Sequence, residues 1–169
     1  PYDKVHIMLL MKSWIEVGMA PEDNSNFDAL PVDFVAKCIV QVCHTQRLLN
    51  KVFNYSHPTS IPFKQIVGWL NEFGYDIDVV KEDRWRQQCL SSINEDSALY
   101  PLLVLYMNKE PKEEENHLDS KTVYTEELVI TNNMQAFIKQ NNWSVPALDR
   151  KLFFKYFSYL QNWFDKSVV

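Results

Sequence analysis

The sequence predicts an α/β chain that is predominantly helical, with one small βαβ unit and a helical tail. Three observations carry this. Apolar residues recur at helical spacing in segments closed by Gly or opened by Pro. Two short runs rich in β-branched and aromatic residues flank one of those helices. The chain has 169 residues, 46% of them hydrophobic and 14% aromatic, which suits one folded domain able to bury a core.

The first helix is expected from Asp3 to Val17. Its polar positions Lys4, Lys12, Ser13 and Glu16 recur at helical spacing, and Gly18 stands where a left-handed cap would close it. A loop follows from Met19 to Asn26. After it, Leu30-Pro31-Val32 is extended because Pro31 keeps the residue before it out of the helical region. Asp33 is expected to cap a helix from Phe34 to His44, accepting from the free N–H groups of Val35 and Ala36. Val35, Ala36, Ile39, Val40, Val42 and Cys43 make that helix apolar on most of its circumference, so burial is expected.

Val52-Phe53-Asn54-Tyr55-Ser56 reads as a strand bounded by His57-Pro58-Thr59-Ser60. Thr59 or Ser60 can cap the next helix, with Pro62 in its first turn. Phe63, Ile66, Val67, Leu70 and Phe73 form its apolar stripe, and Gly74 ends it. Ile77-Asp78-Val79-Val80 is a second strand, which makes a parallel, right-handed βαβ unit of 52–80. A helix over Glu82–Ile93 carries Trp85 and Leu90, and Ser97 caps another over Ala98–Met107. Thr131 caps a helix over Asn132–Lys139. The last helix, Ala147–Asp165, places Leu148, Leu152, Tyr156, Leu160 and Phe164 at strict i+4 spacing.

The charged run from Lys109 to Ser120 reads as an exposed, mobile loop. It divides a front part (1–107) from a helical tail (122–169) across a linker at 108–121. A formal net charge of −5 argues against a nucleic-acid partner. No apolar run is long enough to span a membrane, and no signal peptide is seen. Three Cys residues, an odd number, suggest reduced thiols in a cytoplasmic setting.

Candidate chemistry is sparse. Cys38 and Cys43 diverge on their helix and form no metal pair, and Cys43-His44 lacks a second ligand pair. No Ser pairs with a His and an acid on spacing alone. Glu113-Glu114-Glu115 lacks the alternating ligands and Gly turn of a calcium loop. No catalytic residue and no metal ligand is assigned. Lys81, Arg84 and Arg86 cluster around Trp85, either as a solvated helix face or as a patch for an acidic partner.

The segment Pro31-Val32-Asp33-Phe34-Val35-Ala36, followed by an apolar helix, resembles the Pro-Val-Asp segment of thioester reductase domains. These end many nonribosomal peptide and polyketide synthetases and belong to the extended short-chain dehydrogenase/reductase superfamily. The order around it fits as well: a helix ending at Gly18, a Pro-containing loop, then Val52-Phe53-Asn54-Tyr55, Ile61-Pro62-Phe63 and Gly74-Tyr75. The similarity runs from about Lys4 to Trp85 and is looser from Ser97 onward. Reductases of the aminoadipate type and fatty acyl reductases are close variants.

The resemblance implies the C-terminal, substrate-binding portion of such a reductase. In the family an N-terminal Rossmann portion binds NADPH, and an acyl or peptidyl carrier protein delivers the thioester on its phosphopantetheine arm. The product is an aldehyde or an alcohol. Pocket-lining residues are then expected at Trp14, Met19, Phe27, Pro31, Val32 and Phe34, and carrier contacts at Arg84 and Arg86. Val52–Tyr55 matches a strand that joins the edge of the Rossmann sheet.

The three glycines, at 18, 68 and 74, assemble no phosphate loop. No Tyr is followed four positions later by Lys, so the superfamily's catalytic pair is missing. Together with a start at Pro1 inside an apparent helix, this leads to the expectation of a C-terminal piece of a longer enzyme, inactive alone. The alternative is a stand-alone helical interaction module without catalysis.

Overall fold

Helix α1 (His6–Val17) ends at Gly18, whose φ of 68° is the left-handed conformation that Gly adopts without strain. The computed structural model describes residues 5–48, 50–103 and 131–165. The loop expected at 109–120, the linker at 108–121, the end of the helix expected over 98–107 and the side chain of Leu90 lie outside the described residues.

The chain forms two units. The first comprises the described residues 5–26, 62–103 and 149–165; the second comprises 27–48, 50–61 and 131–148. Two short strands, β2 (Asn26–Phe27) and β3 (Ile61–Pro62), pair where the chain leaves the first unit and returns to it.

In the first unit α1 leads into strand β1 (Met19–Pro21). After β3 come α3 (Phe63–Phe73), β4 (Asp78–Val80) and α4 (Glu82–Ser92). The unit closes with the last helix, α6 (Arg150–Phe164). Strands β1 and β4 are parallel, with Met19 opposite Asp78, Ala20 opposite Val79 and Pro21 opposite Val80.

The core of this unit takes Leu9, Leu10, Met11 and Trp14 from α1, and Ile66, Val67, Trp69 and Leu70 from α3. Trp85 and Cys89 of α4 join them, with Phe153, Phe157, Leu160 and Phe164 of α6. Trp69 packs on Phe153 with ring centroids 5.0 Å apart, and Phe73 meets Phe157 at 5.6 Å. Asn71 pins the turn into β4: its amide donates to the Ile77 carbonyl and accepts from the Ile77 N–H, both at 2.9 Å. Gly74, with φ 124°, makes that turn possible.

In the second unit, α2 (Val32–Cys43) and α5 (Asn132–Gln140) share a small core of Phe34, Cys38, Met134, Phe137 and Ile138. Phe53, Tyr55 and Trp143 pack against it.

Several expectations are corrected. The βαβ unit does not form. Val52–Ser56 is extended but joins no sheet, and β4 pairs instead with β1, inside the stretch expected to be a loop. The alternation in 52–56 is real, since Phe53 and Tyr55 turn toward the core while Val52 is exposed. Its polar groups, however, are met by side chains: Asn133 donates to the Val52 carbonyl at 2.8 Å, and Asp28 takes up the Ser56 hydroxyl.

Asp33 is not the N-cap. Helix α2 begins two residues earlier, with Pro31 at the cap position, and the Asp33 carboxylate accepts from the adjacent Phe34 N–H at 2.9 Å. The Pro31 carbonyl takes the Val35 N–H instead. Likewise Pro62, not Thr59 or Ser60, precedes α3, with no side-chain cap. Ser97 is followed by a 3₁₀ turn, Tyr100–Leu102, and then by helical Leu103, beyond which the helix expected there lies outside the described residues.

The last helix starts at Arg150 under a cap that the sequence reading passed over: Asp149 accepts from the Leu152 N–H at 2.9 Å. Its buried stripe is Phe153, Phe157, Leu160 and Phe164, while Tyr156 is exposed. A strict i+4 series drifts around the helix, whereas alternating steps of four and three stay on one side.

Candidate functional site

Helix α2 is the element whose surface departs furthest from expectation. Only Phe34 and Cys38 are buried on it. Val32, Ala36, Ile39, Val40 and Cys43 are exposed and fall on one side at steps of three or four. Val32 is 82% exposed and Val40 57%. The helix is apolar around most of its circumference, yet it buries one face only. Apolar helices of this kind are ordinarily covered on all sides, so the outer face is a candidate contact surface.

The same unit carries a polar cluster. The Asp28 carboxylate accepts from the Ser56 hydroxyl at 2.5 Å and from the His57 N–H at 2.8 Å. The buried His57 ring places Nε2 2.9 Å from the Pro146 carbonyl and Nδ1 2.5 Å from the Thr59 carbonyl, with the Thr59 N–H 3.1 Å from Nδ1. An acid, a serine and a histidine thus meet, but not as a nucleophilic relay. Ser56 donates to the acid directly, and the imidazole is turned toward a backbone carbonyl instead of the hydroxyl. The cluster fastens the extended 52–57 segment and does no acid–base chemistry in this geometry.

The residues expected to line a pocket are divided between the units. In the first unit Trp14 is 2% exposed and stands edge-on to Phe63 at 6.1 Å. Met19 is half-buried at the start of β1. In the second unit Pro31 and Phe34 are buried, Phe27 is half-buried and Val32 is exposed. Trp14 and Phe34 are core residues of their own units.

A crevice of about 230 Å³ in the first unit is lined by other residues, among them Glu22, Asp23, Asn26 and Lys64. Nothing in the sequence singled these out, because a polar loop between strands has no periodicity to mark it. Among the described residues no His, Cys, Asp and Glu cluster could hold a metal. No helix among them is long and apolar enough to cross a membrane.

On α4, Trp85 is fully buried between its two arginines. Arg86 pairs with Glu82 one turn earlier, while Arg84 is exposed. Three ionisable side chains inside the units are shifted toward their neutral forms. Burial pushes the Cys89 thiol up to about 11. It also raises the Cys38 thiol, with Lys37 opposing. Burial, then the Asp165 carboxylate that accepts the Tyr75 hydroxyl at 3.1 Å, raise the Tyr75 phenol. None of these is poised as a nucleophile or base at neutral pH. The glycines are structural: Gly18 and Gly74 follow α1 and α3, and Gly68 lies within α3. None sits in a strand–turn–helix loop, so the described residues do not fit a nicotinamide phosphate site.

No family model matches the chain. An L-2-aminoadipate reductase from Saccharomyces cerevisiae is 26% identical over 111 residues, covering 63% of this chain and 8% of that protein. The terminal R domain from the myxalamid PKS-NRPS biosynthetic pathway superposes with a TM-score of 0.72 at 20% identity, over 92% of this chain and 38% of that one. A thiolation-reductase di-domain from an archaeal nonribosomal peptide synthetase gives a TM-score of 0.72 at 21% identity, over 96% and 32%. The chain therefore spans less than a tenth of the curated relative and about a third of the two structures. In fold and in sequence this chain is similar to the C-terminal portion of a thioester reductase of nonribosomal peptide and polyketide synthetases, as the segment around Pro31-Val32-Asp33 suggested.

Proposed function

We propose that this chain is the C-terminal, substrate- and carrier-binding portion of an NAD(P)H-dependent reductase of the extended short-chain dehydrogenase/reductase superfamily. The parent enzyme releases an acyl or peptidyl thioester, held on the phosphopantetheine arm of a carrier protein, as an aldehyde or alcohol. The observation that carries this reading is the likeness to terminal reductase domains over nearly the whole chain, at about a third of their length.

The outer face of α2 supports it. Covering Val32, Ile39 and Val40 contributes about 1.5–3 kcal/mol per side chain, and the N-terminal Rossmann portion of the same reductase is the partner that this reading supplies. The 52–55 segment, which joins no sheet here, is the stretch that this reading sets beside the edge of that portion's sheet. When bound in that portion, the nicotinamide supplies the hydride. This chain's part is to shape the acyl pocket and meet the carrier. Trp14, Met19, Phe27, Pro31, Val32 and Phe34 are the proposed pocket side, and Arg84 and Arg86 the proposed carrier side. Because Arg86 is already paired with Glu82, Arg84 bears most of the latter role.

The experiment follows NADPH oxidation by the parent enzyme on a carrier-bound thioester. Deleting this segment is expected to abolish turnover, and the isolated chain is expected to show no micromolar NADPH binding by calorimetry. Unchanged turnover after deletion, or micromolar binding by the chain alone, overturns the proposal. The second reading, a helical interaction module without catalysis, uses the same exposed α2 face. It predicts that a parent carrying this segment shows no thioester-dependent NADPH oxidation.

A further inference from the structure

The outward side of α6 carries a second unusual surface. Lys151, Lys155 and Tyr159 are exposed and lie at steps of four along one line of the helix, about 12 Å from first to last. Tyr159 is 78% exposed, and Tyr156 borders the line. Among the described residues, Lys151 and Lys155 have no acidic partner within ion-pair distance. The neighbouring Arg150 differs: it pairs with Glu72 at 2.5 Å and lies over the Phe154 ring at 4.0 Å.

Two features argue against an ordinary solvated face. The first turn of α6 contains no acid inside the helix and two cations, the sign that opposes the helix dipole. The cations also run into an exposed aromatic residue in a chain whose formal net charge is −5. Tyr is an amphipathic side chain suited to contact surfaces.

We infer that the Lys151–Lys155–Tyr159 face of α6 docks a protein domain that presents an acidic surface. Charge complementarity selects that partner: two unpaired ammonium groups meet carboxylates at the rim, and the Tyr159 ring covers an apolar spot between them. Acidic partners are repelled at long range by the rest of the chain, so this face sets where they land. The inference rests on the function proposed above, in which the carrier is that domain, and it adds a contact on α6 to the carrier side proposed on α4.

The test titrates the carrier domain of the parent enzyme into the full chain at low salt. Lys151→Glu with Lys155→Glu is expected to weaken binding at least tenfold, and Tyr159→Ala to weaken it less. Lys51→Glu, an exposed charge reversal away from α6, is expected to change it under twofold. All four residues are exposed, so unaltered melting curves are expected. Binding unaffected by the lysine reversals, or absent in the unaltered chain, overturns the inference. A parallel assay keeps the two claims apart. If the parent reduces carrier-bound thioester and the reversals do not raise its KM, the α6 contact falls and the reductase reading stands. If the parent reduces no thioester, the reductase reading falls, and the titration alone decides the α6 contact.

Discussion

Phe157→Ala is expected to destabilise the first unit by about 3–5 kcal/mol, read as a shift in the denaturant midpoint. Phe157 is 0% exposed. Its ring meets Phe73 at 5.6 Å, Phe153 at 5.8 Å and Phe154 at 6.3 Å. Removing the ring leaves a cavity between α3 and α6 whose aromatic walls are too stiff to collapse. Such edge-on pairs also contribute about 0.5–1.5 kcal/mol each beyond area burial. Tyr159→Ala on the same helix is the control, expected within about 0.5 kcal/mol because the ring is solvated. A Phe157→Ala loss below about 1 kcal/mol contradicts the assignment of the buried stripe.

Lys12→Met is expected to cost about 2–4 kcal/mol. Lys12 is 6% exposed, yet charged. Its ammonium donates to the Trp163 carbonyl near the end of α6 at 2.8 Å and lies over the Trp163 ring at 4.5 Å. It stands 4.0 Å from Glu16, whose other oxygen accepts from the Ala98 N–H at 3.0 Å. One lysine thus ties α1 to the negative end of α6, and its acidic neighbour ties α1 to the segment after α4.

Met conserves the apolar stem but leaves the half-buried Glu16 carboxylate without its counter-charge, the change that makes broken buried pairs costly. Glu16→Gln in the same chain removes that charge and retains the acceptor for Ala98. The double variant is therefore expected to recover at least half of the loss. If Lys12→Met lies within about 0.5 kcal/mol of the unaltered chain, the clamp contributes nothing.

Local signals in the sequence were legible where physics is local. Gly18 and Gly74 marked helix ends because only a residue without Cβ takes their φ cheaply. The stripe of α3 followed from apolar spacing, and Thr131 marked the start of α5, although its side chain makes no capping bond. What could not be read was which partner each apolar face meets. Helix α2 was expected to be buried because its apolar residues encircle it. That pattern records the need for cover, not its source, and Val32 and Val40 find none among the described residues.

Val52–Ser56 misled for a related reason. Its alternation records one buried face, but a strand also needs a neighbouring backbone, and here side chains of Asp28 and Asn133 take that place. The partner of β4 lay in Met19–Pro21, a segment too short to show a period. On α6, Arg150, Lys151 and Lys155 are alike as charges in the sequence. Only the structure separates Arg150, which is paired, from Lys151 and Lys155. The crevice at Glu22 and Lys64 had no sequence signal at all.

Cys43 offers the most direct test of the central claim, that α2 faces the remainder of a reductase. It is the exposed thiol of three and lies at the end of the apolar line from Val32, whereas Cys38 and Cys89 are buried. The measurement is the rate of alkylation at neutral pH, residue by residue, in the isolated chain and in the full-length parent enzyme. In the chain, Cys43 is expected to react fast and the two buried thiols slowly. In the parent, Cys43 is expected to slow at least tenfold, with all three reacting alike after denaturation. An equal Cys43 rate in both proteins contradicts the claim, because the outer face of α2 is then open to solvent in the whole enzyme too.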